Sequence, residues 1–113
     1  MIFVFIEDGT IDIIENESEA RVLYEGIDVE SKVYDFYNDK GIYLKPVFTK
    51  PNIEKKYLFG LFCSVESGEF ILKESPKEQE ESFQQMLTDA IALNKNKYFK
   101  SFEELKIKYA TNT

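Results

Sequence analysis

Strand-like runs of apolar residues fill the chain up to about residue 73, and helix-like periodicity takes over after it. Met1 to Ile6 is a continuous apolar run, short enough for a strand buried on both faces. Asp8-Gly9 is a two-residue hairpin signal, because both positions tolerate positive φ, and it predicts a returning strand over Thr10 to Ile14. Asn16 followed by Glu19 predicts a helix start and Gly26 its end, with Ala20, Leu23, Tyr24 and Ile27 turned inward and Ser18 as a rival cap. Val33 to Asn38 and Ile42 to Phe48 predict a second hairpin around Asn38-Asp39-Lys40-Gly41. Pro46 cannot donate to a ladder, so its strand should be an edge, be bulged, or finish there. Thr49 to Lys56 reads as a polar loop and Tyr57 to Val65 as the most apolar strand. Glu66-Ser67-Gly68-Glu69 then turns the chain into a strand over Phe70 to Lys73.

The apolar positions Phe83, Met86, Leu87, Ala90 and Ile91 change the period to that of a helix face. Ser75 as cap, Pro76 at the first helical position and Glu78 three residues after the cap extend this to one helix over Ser75 to Asn94. Ser101 and Glu104 form a further capping box for a short helix from Phe102 to Tyr109. Tight turns between strands imply antiparallel pairing. The expected architecture is a single α+β domain over residues 1–113, with an antiparallel sheet of five or six strands. The long C-terminal helix packs on one face of it, and short helices complete it.

Composition changes this picture in two respects. At 113 residues the chain can bury one core, and ten Phe with seven Tyr give that core large rings to bury. The charge is uneven. The chain carries net −7, yet residues 1–31 alone carry net −8 and residues 32–113 carry net +1. Such a balance disfavours nucleic acid and anionic membranes, which require clustered Lys and Arg. The opening MIFVFIED is too short and too acidic for a signal peptide or a membrane span, and a lone cysteine forms no internal disulfide. A cytoplasmic location follows as the expectation.

Four constellations could carry chemistry. Asp8 to Glu15 matches the second half of a calcium-binding EF-hand loop, but Val4 and Ile6 stand where the first ligands should be. Cys63 sits in YLFGLFCSV, and the chain has no histidine to activate it, so it reads as a small core residue. The carboxylate pairs Glu80-Glu81 and Glu103-Glu104 read as first-turn helix acids. Lys97-Tyr98-Phe99-Lys100 could clamp single-stranded RNA, but it reads more simply as a connection with inward rings and wet lysines. Nothing here points to an enzyme, a cofactor or a metal. The acidic first quarter is the remaining signal. Asp12, Glu15, Glu25, Asp28 and Glu30 have no local structural reason to be acidic, and a patch of one sign attracts a partner of the other.

Glu25-Gly26-Ile27-Asp28-Val29-Glu30, followed by Val33-Tyr34-Asp35-Phe36-Tyr37-Asn38-Asp39-Lys40-Gly41, resembles a segment of small bacterial proteins. Some of these are associated with the immunity partners of contact-dependent or polymorphic toxins. The likeness covers the first 45 residues and departs from the pattern where Ser31-Lys32 replaces an Asn-Gly type of turn. It implies a non-enzymatic inhibitor whose acidic face meets a basic cognate toxin. The alternatives are an interaction module acting as a homo-oligomer, through Met1–Ile6 or an edge near Pro46, and an enzyme of unfamiliar type.

Overall fold

The computed structural model describes residues 1–57 and 62–109, and of 54–57 and 62–65 the backbone alone. In chain order these residues form β1 (Ile2–Ile6), β2 (Thr10–Ile14), α1 (Glu17–Leu23), α2 (Gly26–Glu30), β3 (Tyr34–Asn38) and β4 (Tyr43–Lys50). There follow β5 (Ile53–Tyr57), β6 (Phe62–Glu66), β7 (Glu69–Glu74), a 3-10 turn at Pro76–Glu78, α3 (Phe83–Asp89), β8 (Ala92–Leu93) and α4 (Phe102–Tyr109). The fold is α+β. Six strands make one sheet in the order β7-β4-β3-β1-β2-β8, antiparallel except where β8 runs parallel to β2.

The apolar opening run is the middle of this sheet. It pairs with β2 on one side and β3 on the other, so it offers no free edge to a second copy. The β1–β2 register sets Ile6 opposite Thr10, so the turn is the three residues Glu7-Asp8-Gly9 and not two, and of these Gly9 takes positive φ, +94°, where a side chain would be strained. Alternation along β1 then feeds two cores. Ile2 and Val4 join Phe36, Leu44 and Phe70 on the face covered by Ala20, Tyr24 and Val29 of the first helical segment. Phe3 and Phe5 join Tyr37 on the other face, covered by Phe83, Leu87, Phe99 and Leu105. Helices therefore lie on both faces, where the sequence led us to expect them on one.

The predicted long helix is a second correction. Gln79 and Ser82 have extended backbone, and Ser82 accepts from the N–H of Gln85 at 3.1 Å to cap α3. Residues 76–82 hold no large apolar side chain, so helix there would gain no burial to offset its ordering. At the other end Ala90 is extended, Ile91 donates to the carbonyl of Gly9 at 2.8 Å, and Asn94 donates to that of Ile11 at 2.9 Å. Pairing with the exposed edge of β2 replaces the last turn. Ile91, placed on the helix face by its spacing, is 73% exposed.

Smaller differences have local causes. Gly26 opens α2 instead of ending α1, and Leu23 lies exposed. The span Thr49 to Lys56 is mostly strand, not loop. The apolar stretch after it is not one strand, because β5 ends at Tyr57 and β6 begins at Phe62. These two pair with each other as a separate hairpin, from Ile53↔Glu66 to Tyr57↔Phe62. At its base a Cβ on Gly68 would collide with the carbonyl of Lys50. The side chain of Cys63 lies outside the described residues. Among the described residues no helix is long and apolar enough to cross a membrane.

The outer edge of β7 is closed by side chains. Glu17 of α1 accepts from the N–H of Leu72 at 3.1 Å, and Arg21 donates to the carbonyl of Phe70 at 3.4 Å. The two side chains are themselves paired at 2.9 Å, so together they stand in for a neighbouring strand.

Candidate functional site

The five acids singled out from the sequence separate into two groups. Asp12 is half-buried and internally satisfied, accepting from the hydroxyl of Tyr24 and from Asn94 Nδ2, each at 2.7 Å. Glu15 is tied to Lys97 at 3.1 Å across the end of the sheet. Asp12 ties the sheet to Tyr24 and Asn94, and Glu15 makes an exposed pair across the sheet end. Glu25, Asp28 and Glu30 remain together at α2, a helix of five residues with no basic side chain in its last turn. Among the described residues none of these three carboxylates is ion-paired; Glu30 accepts from Asn52 Nδ2 at 2.6 Å. Of the would-be calcium ligands, Asp8 accepts from the N–H and hydroxyl of Thr10 at 2.9 and 2.6 Å. That local bonding holds its carboxyl below the usual range.

Beside α2 the sheet comes apart. β3 is paired with β1 along its whole length, from Ile2↔Asn38 to Ile6↔Tyr34. Its ladder with β4 has two rungs, Tyr37↔Tyr43 and Phe36↔Leu44, and stops. From Lys45 onward β4 is paired with β7 alone. Pro46 explains the break. One step before the ladder, Asn38 donates to the carbonyl of Ile42 at 2.9 Å, which makes that opposed pair a hydrogen-bonded one. Alternation makes Phe36↔Leu44 the next, and Tyr34 opposite Pro46 would be the one after. Pro46 would have to donate there, and it has no N–H. The sequence expectation that its strand finishes there holds on the β3 side only, for β4 continues against β7 through a bulge at Phe48/Lys50.

The seam left by this break holds a cavity of about 360 Å³. Tyr34, Pro46 and Phe48 give it apolar walls, and Glu30, Asp35 and Glu78 give it an acidic rim. Tyr34 packs against Tyr24 with ring centroids 4.4 Å apart and planes tilted by 46°. Its phenol is pushed up by burial and then by Asp28, Asp12, Glu25 and Glu7, so the α2 acids project their field over this wall. Asp35 is half-buried, and desolvation followed by the charge of Glu80 raises its carboxyl above the ordinary value, against an opposing Lys32. A second hollow of about 330 Å³ adjoins, where Tyr37 donates to the carbonyl of Glu81 at 2.6 Å and Glu80 and Glu81 add further acid. Burial, with Asp35 next, pushes the Tyr37 phenol up to about 12.

Asp35, Glu78, Glu80 and Glu81 belong to a part of the chain whose charges balance, and composition by segment therefore concealed them. Among the described residues their Lys partners are two. Lys45 meets Glu78 at 2.7 Å and Lys32 meets Glu80 at 3.8 Å, and both pairs are solvent-exposed, where such contacts contribute little. Compared with protein-family profiles, with curated proteins and with solved structures, the chain matches none.

Proposed function

We propose that this domain is a non-enzymatic protein-binding module that captures a basic partner through the acidic face carried by α2. The observation behind this reading is the un-neutralised set Glu25, Asp28 and Glu30, three carboxylates at one five-residue helix with no described ion pair. Asp12, bonded to Tyr24, and Glu15, paired with Lys97, lie outside this capturing set. In the setting implied by the resemblance of residues 25–41, the partner is a basic toxin and the domain occupies the surface that the toxin needs for an anionic substrate. Electrostatic capture gives fast association that slows with salt, because screening shortens the field to about 8 Å at physiological ionic strength. The test is association kinetics between this protein and the co-expressed product of the adjacent gene. Wild type is compared with the triple variant Glu25→Lys, Asp28→Lys, Glu30→Lys over a range of salt. Slower association for the variant, with the difference shrinking as salt rises, is the expected result. Equal rates for both proteins at every salt concentration would refute it.

A further inference from the structure

The reading as a binder of basic proteins leaves open how a partner is held, and the seam between β3 and β4 supplies a mode. We propose that the seam is a docking slot for an extended, basic segment of the partner, which enters as an added strand; this rests on the functional reading above. The ladder alternation that makes Pro46 a breaking residue also turns the N–H and C=O of Tyr34 and the C=O of Pro46 toward the gap. These are the groups that recognise a strand by main-chain hydrogen bonds. β1 already occupies the other edge of β3, and β7 the other edge of β4, so both walls are held in place from behind.

The occupant is specified by charge. Glu30, Asp35 and Glu78 line the cavity, Glu80 and Glu81 line the hollow beside it, and Lys32 and Lys45 are the cations among them. A Lys or Arg entering beside Asp35 would favour its ionised form and so offset the burial and acid repulsion that now raise its carboxyl, whereas an acidic segment would add to that repulsion. Alternate residues of the segment would face Tyr34 and Phe48, both half-buried and packed on the core below. The segment therefore alternates basic and apolar residues.

Three capped octapeptides test this against the full chain. One alternates Lys and Val, the second is the same peptide N-methylated at alternate amides, and the third alternates Glu and Val. Binding is measured by titration, and backbone amide shifts of the labelled protein report the location. The proposal expects the Lys–Val peptide to bind at least tenfold more tightly than either of the others, with shifts concentrated at Val33–Phe36 and Lys45–Phe48. It also expects Pro46→Val, which restores the missing donor, to weaken binding at least tenfold by extending the β3–β4 ladder. Equal binding of the N-methylated peptide, or shifts centred on Glu25–Glu30 and indifferent to Pro46→Val, would overturn the slot while leaving charge capture intact. Absence of binding by the Lys–Val peptide would also overturn the slot. Failure of the general reading shows separately, as an unchanged association rate for the charge-reversed triple variant.

Discussion

The outer edge of β7 and the seam between β3 and β4 each leave a strand without a strand beside it, and they are treated in opposite ways. The outer edge of β7 is a surface edge, and the Glu17–Arg21 pair bonds its exposed backbone at Leu72 and Phe70. The seam between β3 and β4 lies inside the sheet order, yet its ladder ends after Phe36↔Leu44 and a cavity takes the place of further rungs. An unprotected edge is a template for unwanted pairing, which explains the closure of β7. The same argument makes the open seam informative. A domain that closes one edge with charged side chains keeps another open beside a proline and an acidic rim.

The comparison depends on the sheet being fixed where the seam begins. Phe36, fully buried at the last rung, packs against Tyr24, Tyr34 and Phe70. Phe36→Ala should cost about 3–5 kcal/mol in denaturant melts. A loss below about 1 kcal/mol would mean that this core does not anchor the seam.

Glu17→Ala should cost about 1–2 kcal/mol, because it removes the acceptor of the Leu72 N–H and the partner of Arg21 together. Hydrogen exchange at the Leu72 amide should accelerate in that variant. An unchanged exchange rate would show that the edge is not held closed by this pair.

Pro46→Val should act in the other direction. If the ladder extends to Tyr34, stability rises by about 1 kcal/mol and the new amide at position 46 is protected from exchange. A destabilised variant with that amide unprotected would show that the seam is kept open by packing and not by the missing donor.

The smallest effect concerns pH. The folded state raises the carboxyl of Asp35, so the protonated form is the one the fold favours. Its contribution is complete below the unfolded value of about 3.9 and is lost as pH rises through the higher folded value. Asp35→Asn should therefore flatten the fall in melting temperature over that window. An unaltered pH profile would remove Asp35 from the seam's electrostatics.

Short-range chemistry made much of this protein legible in its sequence. The Asp8-Gly9 turn, the Asn16 and Ser101 caps and the turn from Asn38 to Gly41 each depend on atoms within four residues of one another. The short apolar runs bounded by turn residues likewise located β1, β2 and β3. Even the α3 boundary was present in the letters, for Ser82 and Gln85 have the same capping-box spacing as Ser75 and Glu78, and Ser82 makes the cap. Choosing between two caps is a tertiary decision. Burial favours helix only where Phe83, Met86 and Leu87 meet the sheet, and the free edge of β2 takes Ala92 and Leu93 as a strand. The acids follow the same division. Their number and sign are sequence properties, but only the fold sends Asp12 inward to Tyr24 and Asn94. Only the fold sets Glu15 beside Lys97 and brings Asp35, Glu78, Glu80 and Glu81 to neighbouring hollows. Pro46 shows both levels at once. Its missing donor could be read from the sequence, but which strand loses a rung depends on the neighbour that would have accepted it, and the sheet order alone supplies that neighbour.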